Sequence, residues 1–443
     1  MKRRPWEGIL AAICIEKQGR GKVASSQDRN DSKFGRLFPR AILAVDADRE
    51  SVQFAYSGAT LGEGTMRFAP FLLDHWLNHY QHSEPPIEYD LAASTGPKWT
   101  VRELLALDGE YRVDDLLDLQ IKYMRIEGTR SLCAAVAEME GVREEEVQIT
   151  TGGAEGILLL FTLAAEPGAN VLVPAPGFPS FYEVPRGLGL EIRYYHQRVE
   201  NKFRVDLDEI KRLADSRTKV LLVNTPHNPS GAVLSDGELK ALHDFATERG
   251  IQFASDQVYH PIYHGPATAT AARLPHATVI SDFSKAMCLP GLRLGWLIER
   301  DRRRMEDYRS ARAYFTVSST TMGEVLGRIA VRNREKIYER VRKVTGENLA
   351  LLDGFFEEHA RLFDWVRPQG GMTAFPWMKS GEDSRPFCTE AAEQGVLLAP
   401  GDCFGMPAHF RVGFGASGEK FPRALERLSK FVERRTSHTA VAR

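Results

Sequence analysis

Two cations eight residues apart, Lys285 and Arg293, frame the stretch Ala277–Leu297, where the chemistry of this chain concentrates. Val279 and Ile280 form a β-branched run that reads as a buried strand. A short polar turn then presents Lys285, Pro290 and Gly291 force a second turn, and Arg293 leads into another strand over Leu294–Leu297. A lysine amine condenses with a carbonyl to give a Schiff base. An arginine eight residues on offers a fork of donors that matches a phosphate. The pair suits a phosphorylated aldehyde. The plain alternative is a surface lysine in a loop, because a Ser-Lys pair alone has little weight.

Other motifs follow apolar strands, at the strand ends where open α/β sheets bind ligands. Thr150-Thr-Gly-Gly-Ala-Glu-Gly opens an apolar helix at Ala154. Its bare amides and the helix dipole favour an anion, although an ordinary glycine-rich turn reads the same way. Phe178, set between Pro176 and Pro179, offers a flat face for a planar ring, whereas Phe181 and Tyr182 read as core. Asn228 lies in a turn stiffened by two X-Pro bonds, which also occur in plain turns. Asp256 follows apolar residues and needs a partner once buried; a protonated pyridine nitrogen would serve. Tyr259, three residues later, can donate to a ring phenolate. Arg411 sits inside an apolar strand, which calls for an anion: the α-carboxylate of an amino acid or a structural ion pair. His227, His260 and His264 lack metal-ligand spacing and read as loop histidines.

These residues need a sheet to hold them. From Val101 the sequence alternates helical patterns (Ser131–Glu140, Ala154–Ala165, Asp236–Arg249) with short strands at Asn170–Val173, Glu191–Tyr195, Lys219–Val223, Gln252–Ala254 and Val279–Ile280. The pattern predicts an α/β fold, a mostly parallel central sheet with helices on both faces. Residues from about 301 to Leu352 read as helical, and Trp365–Phe431 as a smaller α+β lobe.

The chain has 443 residues and a formal net charge of -1, so nothing points to nucleic acid or to an acidic membrane surface. No apolar run reaches the roughly 18–20 residues of a membrane span. The five scattered cysteines, Cys14, Cys133, Cys288, Cys388 and Cys403, form no CxxC pair, which fits a reducing cytoplasm and no metal site. Cys288 reads as packing. Residues 1–65 are basic and hold no sustained amphipathic period. A targeting peptide or a nucleic-acid arm are minor readings there. The main expectation is an N-terminal extension that is disordered or not translated. Gly62-Glu63-Gly64 requires purine-rich codons just before Met66, as a ribosome-binding site would, and a helix pattern (Phe68, Phe71, Leu72, Trp76, Leu77, Tyr80) follows at once.

Taken in order and spacing, these motifs resemble the fold-type-I pyridoxal-5′-phosphate (PLP) enzymes, in particular the class I/II aminotransferases, over roughly residues 66–435. The resemblance implies that Lys285 forms the internal aldimine and shuttles the proton, and that Asp256 pairs with the pyridine nitrogen. It implies that Asn228 and Tyr259 hold the ring oxygen while Phe178 stacks on the ring. Gly152, Gly153, Ala154 and Arg293 then hold the phosphate, and Arg411, Asn228 and Gly96 bind the substrate. Tyr123, five residues before Gly128, matches a tyrosine that reaches the phosphate of a neighbouring subunit, so a homodimer is expected. The implied domains are a large PLP-binding domain near 101–320 and a small domain of 66–100 with 321–443.

One position departs from the family pattern. Three residues before the lysine the family has serine or glycine, and here stands Asp282. An acid facing a phosphate dianion is repulsive, so either Asp282 turns away, towards a basic neighbour, or Ser284 supplies the hydroxyl. Gly370–Pro376 and Ala399–Gly405 resemble segments of a subgroup that includes capreomycidine synthase, so a lyase or cyclase stands beside the aminotransferase reading. Counting back from Ser318 or Ser319 reaches Tyr314 or Phe315 where aspartate-type transaminases carry a carboxylate-binding arginine. Apolar or aromatic amino acids are favoured, unless a shifted loop lets Arg312 reach in.

Overall fold

The computed structural model describes residues 68–109, 111–415 and 420–441. The described residues belong to one compact unit, and the expectations for residues 1–65 lie outside them. Seven strands make the central sheet: β1 Val147–Thr150, β2 Asn170–Ala175, β3 Glu191–His196, β4 Thr218–Asn224, β5 Gln252–Asp256, β6 Ala277–Asp282 and β7 Gly295–Ile298. Their order is β1-β7-β6-β5-β4-β2-β3. β7 runs antiparallel to both neighbours, and the remaining pairs are parallel.

Alternation explains why the sheet is covered twice. Val220 and Leu222 of β4 point to one core while Leu221 and Val223 point to the other, and Ile280 and Val279 of β6 divide the same way. Helices Gly152–Ala164 and Arg302–Arg312 supply Leu160, Phe161, Met305 and Tyr308 to the first core. Helices Arg130–Glu140, Asp236–Glu248 and Thr321–Arg332 supply Val136, Leu242 and Ile329 to the second. Each such side chain contributes about 1.5–3 kcal/mol through burial.

A third core joins both ends of the described chain: Leu73–Ala92 packs with residues from Leu349 to Val432. Here Tyr89–Asp90 pairs in parallel with Val396–Leu397, and Phe410–Gly413 lies between Thr373–Ala374 and Ala399–Pro400. The first helix begins at Leu72, later than its apolar pattern suggested. Pro70 disfavours helical geometry at Ala69, and Phe71 packs edge-on against Phe178. The helical stretch after residue 301 breaks between Arg312 and Thr321 and again at Asn333, and its last helix ends at Glu358.

Candidate active site

The ends of β4, β5 and β6 bring the polar motifs together. Register places Asn224 opposite Asp256, and Asp256 opposite Ile280, so the chain's turns after these strands share one edge. Asp256 is almost fully buried. Its carboxylate accepts from Asn224 Nδ2 at 3.2 Å and from the amide of Val258 at 3.3 Å. Burial pushes its pKa up to about 7, with Asp282 adding to the rise and the Val258 amide, Lys285 and Asn224 opposing it. An acid in that state matches a buried cation. Asn224 also accepts from the amide of Asn228 at 2.8 Å, so one side chain fixes both the acid and the next turn. Reading Asn224 as part of a turn motif missed this role.

Lys285 lies in the turn after β6, and its Nζ donates to Ser94 Oγ at 2.9 Å. The hydroxyl of Tyr259, itself buried, lies 3.5 Å from the carbonyl oxygen of Ser94. Ser94 therefore meets two of the expected site residues, and sequence reading left it as part of a turn. The contacts span 165 and 191 residues of sequence, so no local pattern could reveal them.

Beside this centre lie the residues expected to hold an anion. Gly152 adopts a φ of +75°, and a Cβ there would stand 2.7 Å from Arg293 Nη2. A Cβ on Gly295 would collide with the backbone of Gly152 and Gly153 at 2.7 and 2.9 Å, so β7 passes directly against the start of the helix. Arg293 Nη1 lies 3.5 Å from Ser284 Oγ. Ala154, the next helical residue, is exposed. Asp282 does not turn towards a basic neighbour. Its Oδ1 accepts from the amide of Ser284 at 2.8 Å, and its Oδ2 lies 3.4 Å from the amide of Gly153.

Arg411 closes the other side. It is 1 % exposed, with Nη2 donating to the carbonyl oxygen of Ala92 at 2.7 Å and Nη1 to Asn228 Oδ1 at 3.2 Å. Its guanidinium lies 5.1 Å from the ring centroid of Phe404, and its Nε has no partner. Burial draws its pKa below the ordinary arginine value. Among the described residues it makes no ion pair, which leaves a buried cation ready for a carboxylate.

The remaining expected residues fall at different distances from this centre. Phe178 is held by the edges of Phe71 and Phe181. A Cβ on Gly96 would stand 2.3 Å from Cys288 Sγ, so its bareness serves packing. Burial pushes the Cys288 thiol up to about 12, which makes it a poor nucleophile. Tyr123 is 84 % exposed on a loop outside the centre. His227 lies in a loop, as expected, and is buried there between Ser230 Oγ at 2.7 Å and the Pro176 carbonyl at 2.9 Å; burial lowers its pKa to about 4. Arg312 is fully buried and pairs with Glu155 at 3.2 Å, while Nη2 donates to Ser319 Oγ. It does not point a free guanidinium at a substrate.

This arrangement has relatives. The family described as aminotransferase class I and II matches residues 120–428. The chain belongs to that family. Class I/II aminotransferases use pyridoxal 5′-phosphate, and it is the cofactor of this chain: a buried acid, an amine and an arginine cradle fit its ring nitrogen, aldehyde and phosphate. Capreomycidine synthase of Streptomyces vinaceus is 28 % identical over 379 residues, covering 84 % of this chain and 95 % of that enzyme. Aspartate aminotransferase of Pyrococcus abyssi is 27 % identical over 334 residues, 68 % of this chain and 82 % of that one. Among solved structures, a PLP-dependent aminotransferase of Streptococcus suis superposes with a TM-score of 0.78 at 29 % identity, covering 83 % of this chain and 99 % of that one. The PLP-dependent cyclase OrfR does so with 0.77 at 26 %, covering 85 % and 100 %.

Proposed function

We propose that this chain is a transaminase that moves the amino group of an L-amino acid to a 2-oxo acid. One observation carries the reading: Arg411 is a buried guanidinium without an ion pair, and it bonds Asn228, which Asn224 ties to Asp256. A substrate carboxylate on Arg411 would set an amino acid's Cα within the same centre as Lys285. When bound, the cofactor supplies an electron sink for the bonds at Cα. Asp256 would hold the ring nitrogen, Asn228 and Tyr259 the ring oxygen, and Phe178 the ring face. Gly152, Gly153, Ala154, Ser284 and Arg293 would hold the phosphate. Lys285 would carry the cofactor, take the proton from Cα of the amino donor and, in the second half-reaction, give a proton to Cα of the amino acid formed from the 2-oxo acid. Gly96 would border the substrate carboxylate.

The two chain regions read as a large domain near 101–320 and a small domain of 66–100 with 321–443. The separate core that joins Leu73–Ala92 to Leu349–Val432 supports a small domain, although helix Thr321–Arg332 packs in the core of the sheet and helix Arg334–Glu358 contributes to both. We read the active form as a homodimer. Tyr123, Ile121, Tyr314, Phe315, Val317 and Met322 expose apolar surface on two adjoining segments, joined by the Met124 amide to Ser318 Oγ at 3.2 Å. Such a patch calls for a partner, and a second copy would bring Tyr123 to a neighbouring site. The four described cysteines are buried and unpaired, which favours the cytoplasm. Among the described residues no helix is long and apolar enough to cross a membrane.

A cyclase or lyase is the second reading, favoured by the near-complete coverage of capreomycidine synthase and of OrfR. A half-reaction separates the two. With amino donor alone, a transaminase converts its cofactor to pyridoxamine phosphate, whereas a lyase or cyclase restores the starting absorption. Because Arg312 is committed to Glu155, phenylalanine, leucine and methionine should drive this conversion better than aspartate or glutamate. A tenfold preference for the acidic donors in kcat/KM would contradict the assignment of the side-chain pocket.

A further inference from the structure

Asp282 is the charged group in the phosphate cradle that the proposed reaction does not use. It lies at the end of β6 and is 8 % exposed. Its two oxygens take the amides of Ser284 and Gly153. The Gly153 amide stands at the start of an apolar helix, where the helix dipole attracts negative charge, and the Ser284 amide lies in the turn after β6. Among the described residues no cation comes within ion-pair distance of Asp282. Arg293 instead leans over Gly152 and bonds the Pro290 carbonyl at 3.1 Å. The cradle thus contains its own anion, facing the same donors that a phosphate would take.

We propose that Asp282 weakens the hold of this cradle on the cofactor's phosphate and so sets a loose, readily exchanged cofactor. Two negative groups sharing one helix terminus repel one another, and the phosphate must also displace the carboxylate from the amide of Gly153. A serine or amide at this position removes the charge and leaves a hydrogen-bonding group. The inference rests on the cofactor assignment, and it concerns affinity rather than turnover.

The test compares two ligands on three cofactor-free proteins. Wild type, Asp282→Ser and Asp282→Asn are titrated with pyridoxal 5′-phosphate and with pyridoxal, which lacks the phosphate, following tryptophan fluorescence and the visible band. Both variants should bind the phosphorylated form at least tenfold more tightly than wild type and release it more slowly. Their affinity for pyridoxal, which meets Asp282 only through its effect on Asp256, should change far less. Asparagine is nearly isosteric and keeps an acceptor for the Ser284 amide, so it carries the test should the serine variant fold poorly; thermal melts of the cofactor-free proteins check this. Equal gains for both ligands, or an unchanged or weakened affinity for the phosphorylated one, would overturn the proposal and make Asp282 a support for the loop. Failure of all three proteins to bind pyridoxal phosphate would overturn the cofactor assignment along with it.

Discussion

Two arginines among the described residues are fully buried, and they sit in opposite electrical surroundings. Arg312 meets the carboxylate of Glu155, and that carboxylate in turn accepts from the Thr151 amide and from Thr316. Arg411 meets only neutral oxygens and a phenyl ring. The acid of the centre, Asp256, is likewise buried without an ion pair among the described residues. The loop behind the cradle is therefore electrically finished, while the centre holds an unpaired cation and an unpaired acid whose pKa burial has raised. An interior charge without a counter-charge is costly, so its presence in both an acid and a base marks where a ligand with both signs belongs.

Replacing the two arginines separates these surroundings. Arg411→Met should lower kcat/KM for amino donors by roughly a hundred- to a thousandfold, with thermal stability of the cofactor-free protein unchanged or raised. Arg312→Met should do the reverse: it strands Glu155 and should cost about 3–5 kcal/mol of stability. Adding Glu155→Gln to Arg312→Met should recover part of that loss, as measured by denaturant unfolding. Equal destabilisation by both arginine variants would erase the distinction.

Asp256 sharpens the same contrast through pH. Its folded pKa of about 7 lies above the ordinary carboxylate value of 3.8. Between those values the native cofactor-free protein holds a proton that the unfolded chain has released. Stability should therefore fall as pH rises from about 4 to about 7 and then level off, with an upper bound of about 4 kcal/mol for this group. Asp256→Asn should remove that slope and leave the remaining pH dependence in place. Its cofactor should also bind more weakly. A slope identical in both proteins would mean that Asp256 is ionised and paired already.

Much of the fold was legible because β-branched runs alternate with helical patterns, and because polar motifs follow those runs. The turn residues Asn228, Asp256 and Lys285 could be picked out for that reason. Partners could not. Arg312 and Arg411 look alike in a linear sequence, and the carboxylate that distinguishes them lies 157 residues from Arg312. Asp282 was visible as an anomaly, but its direction depends on a turn that folds its carboxylate onto Ser284 and Gly153. The start of the first helix slipped because apolar spacing continues through Phe68 and Phe71, whereas Pro70 decides the backbone.

The most direct test of the account is to fix the cofactor chemically and find where it sits. The purified protein, loaded with pyridoxal 5′-phosphate, is reduced with borohydride, digested and mapped by mass spectrometry. The account predicts a phosphopyridoxyl mass on Lys285, and a Lys285→Ala protein with no reducible visible band and no turnover. A modified residue other than Lys285, or a reducible band that survives in Lys285→Ala, would contradict it.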